Sequence, residues 1–295
     1  MKTSIFFDFN NTVIRCVFNK DVCQKDINGD LAYVDWDYWK YLVFSSVYNS
    51  LYHVDNCGEI ILAIDDKHSW RKDIWSRYKE SRKKKRDKTD FDWDEFFVKF
   101  IELQEEFKTH FPFKILKVEK AEADDIIGVL VLNNKNKSQI ISVDKDFLQL
   151  YRPDMVEIYN PLKRVKVSHP NTEMFLIQEC LTGQSKDDIF NIKTPLDHPE
   201  GKRKPGFGPK ALDKVIAYGW KKWLKDEGLE ERFEFNRNLM DFRRIPEEIK
   251  QNILDHYNSY ETPEPSMLYE FFKKHNWPEY LENLHNVENR LGELY

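Results

Sequence analysis

The chain is predicted to adopt an α/β fold, with a mainly parallel central sheet, helices on both faces and a smaller helical region after it. Three observations predict this. Short apolar runs end in aspartate at three places, segments with helical spacing separate those runs, and β-type runs stop after about residue 170. The 295 residues allow one large domain or two unequal ones. A disordered acidic chain is excluded, because 21 Phe, 14 Tyr and 8 Trp supply large apolar surfaces that folding buries.

The first strand is the run from Thr3 to Phe9, which contains Asp8 and is bounded by Asn10 and Asn11. A second is Glu59-Ile-Ile-Leu-Ala-Ile64, ending at Asp65, and a third is Gln139-Ile-Ile-Ser-Val143, ending at Asp144. Phe113 to Val118 is a further strand. Helical spacing appears in Trp36, Trp39, Tyr41, Val43 and Val47, and in Phe96, Phe97, Phe100, Ile101 and Leu103. The apolar stretch Ile126 to Leu132 forms another helix, opened by Glu122-Ala-Asp-Asp125. Beyond residue 230, Ile245, Ile249, Ile253, Leu254 and Tyr257, then Leu268, Phe271, Phe272 and Trp277, form stripes expected to pack into a core.

Ile126 to Leu132 is also the longest apolar run, far below the roughly 18 residues of a membrane span. Asp8, Asn10 and Asn11 interrupt the only apolar stretch that could serve as an export signal, so a cytoplasmic protein without a membrane partner is expected. Four cysteines without CxxC spacing and eight histidines without an HExxH pattern disfavour zinc and disulfide frameworks.

Ligands of open α/β sheets bind beyond the carboxyl ends of the strands. Parallel strands would therefore bring Asp8, Asp65 and Asp144 to one edge, joined by Glu122, Asp124, Asp125 and Asp146. A single strand-end aspartate is usually a helix cap. Six or more carboxylates in one small volume repel one another unless a cation neutralises them. Hard oxygen donors without His or Cys select Mg²⁺, with Mn²⁺ as its substitute, and suit two-metal phosphoryl transfer.

The formal net charge of -5 hides an uneven distribution. Lys67 to Lys88 holds 11 Lys or Arg and 3 acids, a local net of +8. Within it, Arg71, Lys72, Lys83, Lys84, Lys85 and Arg86 can neutralise phosphates, while Trp70, Trp75 and Tyr78 offer faces for base stacking. A run of this kind is otherwise a solvated helix face or a localisation signal. The second basic patch holds Lys202, Arg203, Lys204 and Lys210 around Gly206 and Gly208, with Pro209 at the start of a helix. The glycines are expected to adopt conformations barred to other residues and to point N–H groups at an anion. Neither a Walker loop nor a dinucleotide fingerprint is present in the sequence.

Phe7-Asp-Phe9, Ala63-Ile-Asp65, Trp70-Arg-Lys-Asp, Tyr78-Lys-x-x-Arg82, Glu119-Lys-Ala-Glu-Ala-Asp-Asp125, Ser142-Val-Asp-Lys-Asp-Phe147 and Gly206-Phe-Gly-Pro-Lys210 occur in this order. Together they resemble the flap endonuclease and 5′-to-3′ exonuclease family, above all its bacteriophage ribonuclease H members. The resemblance implies a PIN-like nuclease core at 1–182, including a basic arch at 67–110. A helical region at 183–295 would follow, with a helix-three-turn-helix at about 183–225. It implies Asp8, Asp65, Glu122, Asp124 and Asp144 at or around a first metal, Asp146 and Asp187 at a second, and Asp125 nearby. Lys79 and Arg82 match the family's cations at the scissile phosphate, and the Gly206 turn its duplex-gripping element, which in some members holds K⁺. The implied activity is Mg²⁺-dependent removal of 5′ flaps and RNA primers from duplex DNA by a monomer. Its C-terminal region is expected to meet a phage single-stranded-DNA-binding protein.

Where the family usually reads Gly-Asp-x-x-Asp-Asn, this chain has Gly183-Gln-Ser-Lys-Asp-Asp188. Either a second metal is held more weakly, or Asp188 restores part of the charge missing at Gln184. Two other readings compete. A DNA-structure-binding protein without cleavage is motivated by Gln184, but gains nothing from an acidic cluster beside DNA. Phe7-Asp-Phe-Asn-Asn-Thr-Val13 resembles the opening of haloacid-dehalogenase phosphatases, but Asn10 stands where that family needs an acid.

Overall fold

The computed structural model describes residues 2–25, 31–262 and 268–292. The chain divides into two compact units, Met1–Lys67 with Asp90–Ser168 and Glu247–Tyr295, and His68–Thr89 with His169–Pro246. This differs from the linear division expected at 182/183. Residues 90–110, expected in the arch, are mostly the helix Trp93–His110, whose Phe96, Phe100, Leu103 and Phe107 lie in the core of the first unit. Those aromatic residues recur at helical spacing, and their burial outweighs their nearness to the basic run.

Among its described residues the first unit contains eight strands: β1 (Thr3–Asp8), β2 (Cys23–Lys25), β3 (Leu31–Val34), β4 (Cys57–Ile64), β5 (Phe113–Lys117), β6 (Lys137–Ile141), β7 (Val156–Asn160) and β8 (Val165–Val167). Six form one sheet in the order β5-β4-β1-β6-β7-β8, parallel except for β8, while β2 and β3 pair antiparallel. All six residues of β1 are buried, which is why this central strand reads as a continuous apolar run rather than an alternating one. Strand order reverses at β1, flanked by β4 and β6, so the crevice at its carboxyl end is the natural ligand position.

The core on one side of this sheet is aromatic. Phe107 has no exposure and lies 6.0 Å from Phe9, 5.1 Å from Phe111 and 5.7 Å from Phe113, ring centre to ring centre. The C-terminal segment returns here, as its apolar stripes predict, with Leu268, Phe271, Phe272 and Trp277 in the same core. Glu106 ties it down by accepting from Lys40 at 2.8 Å and Lys274 at 2.9 Å. Burial pushes its carboxyl up, but His275 at 3.3 Å and the two lysines outweigh that and hold it well below the usual range.

The second unit is helical. Thr172–Thr182, Pro209–Tyr218, Trp220–Glu227 and Glu230–Met240 contribute Leu176, Cys180, Val215, Leu224, Phe233 and Leu239 to one core. Asn236, fully buried among them, donates to the carbonyls of Cys180 (2.7 Å) and Phe190 (2.9 Å), so its burial leaves its amide donors satisfied. The short helices Arg71–Ile74 and Glu80–Arg86 belong to this unit, anchored through Tyr78 in its core. No helix among the described residues is long and apolar enough to cross a membrane.

Phe107→Ala removes the ring at the centre of the aromatic core and leaves a cavity. The expected cost is about 3–5 kcal/mol, read as a lower urea midpoint with an unchanged slope.

Candidate functional site

The register of the sheet brings three acids to one edge. Asp8, the last residue of β1, pairs with Ala63 of β4, two residues before Asp65, and Phe7 pairs with Ile141 of β6, three residues before Asp144. Asp8 is 7 % exposed; its Oδ1 accepts from the Asn11 N–H (3.1 Å) and its Oδ2 from the Ser142 hydroxyl (3.1 Å). Burial pushes its carboxyl up to about 7, the neighbouring charges of Asp65 and Asp144 add to that rise, and the two hydrogen bonds oppose it.

Local hydrogen bonds fix the neighbours. The Asp65 N–H donates to Asn10 Oδ1 (2.8 Å), and Asp65 Oδ1 accepts from the Ala123 N–H (2.8 Å), at the start of the helix Ala123–Asn133. That bond brings Glu122 and Asp124 to the same edge as Asp65. Asp144 donates its N–H to Ser142 Oγ (3.0 Å) and accepts from the Asp146 N–H (3.0 Å) as it caps the 3₁₀ turn Lys145–Leu150. Asn10 and Ser142 are thus part of the site although they are not acids. The visible signal for them was position alone, immediately after one strand and before the Asp of another.

Asp125 does not belong with the metal candidates. It has no exposure, and its Oδ2 accepts the Glu122 N–H at 2.9 Å, closing the first turn of its own helix. Asp124, one residue earlier on the same turn, is half-exposed. Asp187 lies in the second unit, where its Oδ1 meets Arg82 Nη2 at 2.6 Å.

Among the described residues, no group of three or more His, Cys, Asp or Glu side chains is set to hold an ion as it stands. The fit of a metal rests on the donor set. The buried Asp8 lies beside the half-exposed Asp65 and Asp144, burial and then their charges push its carboxyl up to about 7, and all donors are hard oxygens. A divalent cation matches that arrangement in charge and in chemistry.

The basic segment corrects several expectations. Trp70, Arg71 and Tyr78 are 4 %, 3 % and 4 % exposed, so they do not face a nucleic acid. Arg71 donates Nε to the Leu239 carbonyl at 2.7 Å, with its guanidinium over the Trp70 and Tyr78 rings. Trp75 packs edge-on against Phe190 and Phe235 instead of offering a stacking face. Lys72, Lys83, Lys84, Lys85 and Arg86 are exposed, and Lys79 is half-buried with its ammonium over Tyr78 at 5.0 Å.

At the departure from the family pattern, Gln184 is buried and its Nε2 donates to Glu179 (3.3 Å). Asp188 accepts from the Ser81 N–H at 2.7 Å, so one of its oxygens serves the basic helix. Gly183 is required where it stands, since at φ +69° a Cβ would lie 2.5 Å from the Ile189 carbonyl oxygen. Gly206 and Gly208 differ from expectation. Neither has the left-handed backbone anticipated, and a Cβ on either would meet nothing within 4 Å. Pro209 does begin the helix Pro209–Tyr218, and Lys202, Arg203, Lys204 and Lys210 are exposed around it, with Lys204 Nζ 4.0 Å above the Phe190 ring.

The raised Asp8 carboxyl has a thermodynamic consequence for the metal-free protein. Folding raises its affinity for a proton, so this contribution to stability is full below pH 3.8 and is lost as pH climbs through about 7. Asp8→Asn removes the buried charge. In EDTA at pH 8 it should raise Tm by several degrees, and at pH 5 the gain should shrink. An equal gain at both values would refute the origin assigned to the shift.

Comparison with known proteins agrees with this geometry. The profile of the 5′-3′ exonuclease N-terminal resolvase-like domain matches residues 39–179, and that of the T4 RNase H C-terminal domain matches residues 170–287. Ribonuclease H of Enterobacteria phage T4 is 31% identical over 249 residues, spanning 80% of this chain and 82% of that protein. In fold, the chain is similar to the bacteriophage T5 flap endonuclease, solved as a pseudo-enzyme–product complex with DNA and metal ions. The TM-score is 0.61 at 16% identity, over 88% of this chain and 100% of that one. It is also similar to the catalytic core of Rad2 in complex with DNA substrate, with a TM-score of 0.50 at 14% identity, over 98% of this chain and 93% of that one. By sequence relationship, fold and the acids at its sheet edge, the chain belongs to the flap endonuclease and 5′-to-3′ exonuclease family of metal-dependent nucleases.

Proposed function

We propose that this nuclease removes 5′ flaps and RNA primers from duplex DNA during lagging-strand replication and repair, using two Mg²⁺ ions for which Mn²⁺ can substitute. The observation that carries the reading is the buried Asp8 between Asp65 and Asp144, a concentration of negative charge that a divalent cation would relieve. Bound Mg²⁺ would supply activation of the attacking water and stabilisation of the leaving oxygen.

The chain's own residues supply position and charge. Asp8, Asp65 and Asp144 hold the first ion, with Glu122 and Asp124 beside them, while Asp146 and Asp187 are proposed for the second by family resemblance. Asn11 and Ser142 orient the two Asp8 oxygens, and Asn10 fixes the backbone of Asp65. Lys79 and Arg82 would offset charge on the scissile phosphate, as their family counterparts do. Lys202, Arg203, Lys204 and Lys210 would neutralise duplex phosphates. The open surfaces of Gly206 and Gly208 support close approach of a sugar–phosphate backbone to the start of the helix Pro209–Tyr218.

Cleavage mapping on a labelled 5′ flap and on an RNA-primed nick in Mg²⁺ tests the reading. Short oligonucleotides released from the 5′ end are expected, and free phosphate would overturn it in favour of a phosphatase. Asp144→Ala should abolish cleavage while leaving duplex binding intact or stronger, because a ligand and a repulsive charge vanish together. Unchanged turnover in Mg²⁺ would sink the metal assignment.

Lys79→Ala should slow cleavage by a factor on the order of 10² or more if its ammonium stabilises the transition state. An effect confined to binding would make Lys79 a docking residue.

A further inference from the structure

The helix Glu80–Arg86 is difficult to account for on its own sequence. It has seven residues, none buried, and five of them, Arg82 to Arg86, are cations. A helix this short is not stable alone in water, and like charges one turn apart weaken it further. Its N-cap residue, Lys79, makes no side-chain capping bond and sits at φ +55°. The ion pairs of Lys84 with Glu80 and Glu200 are largely exposed and contribute little.

The turn Lys186–Asp188 supplies what the helix lacks. Asp188 Oδ2 accepts the Ser81 N–H at 2.7 Å, and the Asp187 carbonyl accepts the Lys79 N–H at 3.0 Å. Arg82 donates Nε to the Lys186 carbonyl at 3.0 Å and Nη2 to Asp187 Oδ1 at 2.6 Å. The Asp188 carbonyl also accepts from Trp75 Nε1 at 3.1 Å, which ties the turn to the chain leading into the helix. Asp188 itself is at φ +57°, a conformation that Asp and Asn tolerate better than most residues.

We propose that Asp188 is a positioning residue: its carboxylate caps the basic helix from outside and so fixes where Lys79 and Arg82 are presented. A carboxylate at a helix N-terminus is favoured by the aligned peptide dipoles, and its bond to an N–H is about twice as strong as a neutral one. An Asn in this place keeps the acceptor but lacks the charge that five neighbouring cations call for. The acid that departs from the family pattern thus serves the helix rather than a second ion. The consequence for cleavage rests on the nuclease reading, whereas the capping itself does not.

Asp188→Ala and Asp188→Asn in the full-length protein test this through three measurements. These are amide hydrogen exchange across residues 79–86, Mg²⁺ affinity by calorimetry, and steady-state cleavage of a 5′ flap. Asp188→Ala should speed exchange in the segment about tenfold or more and lower kcat by a similar factor, with KM and Mg²⁺ affinity nearly unchanged. Asp188→Asn should fall between it and the wild type on the first two readouts, since its amide oxygen still accepts; it also tests the idea should the alanine variant not fold. Unchanged exchange in both variants overturns the proposal, and so does a loss of Mg²⁺ affinity that tracks the loss of activity, which would make Asp188 a ligand. If the wild type cleaves no flap in any divalent ion, the nuclease reading fails, and the exchange comparison alone decides the capping role.

Discussion

A buried carboxylate that cannot ionise comfortably is the constraint to which the first unit answers. Parallel pairing of β1 with β4 and β6 brings Asp65 and Asp144 to either side of Asp8, where their charges add to the rise that burial imposes on its carboxyl. The aromatic core beneath them supplies the burial that keeps the sheet folded around this repulsion. Asn10, Asn11 and Ser142 contribute hydrogen bonds but no compensating positive charge. Below about pH 7 a proton relieves this repulsion, and if Asp8 holds the proposed ion, metal binding there would release that proton.

The second unit solves the opposite problem. Its basic segment concentrates positive charge on a helix with no apolar face, and Asp187 and Asp188 are engaged with that helix. The net charge of -5 is the sum of these two arrangements, and neither is visible in it. Arg82 and Asp187 illustrate the coupling. By resemblance one belongs to the phosphate and the other to an ion, yet in the metal-free chain each is the other's partner. If the proposed roles hold, a divalent ion or a phosphate would have to compete with that pair, which would link occupancy of Asp187 to freedom of Arg82.

How much of this was legible in the sequence depended on the range of the interaction responsible. Strands buried on both faces leave long apolar runs, so β1, β4, β5 and β6 could be read directly, and the acids at their ends came with them. The three-residue β2 and β8 carry too few residues to show a period, and pairing with a neighbour creates them. Asp124 and Asp125 are identical in type and adjacent, and only the helix, which turns about 100° per residue, places one half-exposed and the other inside. Arg71 is the hardest case. Its residue type and its basic neighbours indicate a surface cation, while its actual acceptor is the carbonyl of Leu239, 168 residues away. The unit boundaries were obscured for the same reason, since residues distant in sequence close each core.

The glycines separate two physical causes that sequence merges. At Gly183 the reason lies inside the chain, because the left-handed backbone and the crowding by Ile189 and Phe190 leave no room for a side chain. At Gly206 and Gly208 the internal reason is missing, for the backbone conformations are open to other residues and the space beside each Cα is empty. What distinguishes glycine there is the flat surface it leaves beside the exposed cations Lys202, Arg203, Lys204 and Lys210 at the start of the helix Pro209–Tyr218. A side chain at either position would cost the fold little, so if the proposed duplex contact lies at this turn, stability and duplex binding should respond independently to a substitution there.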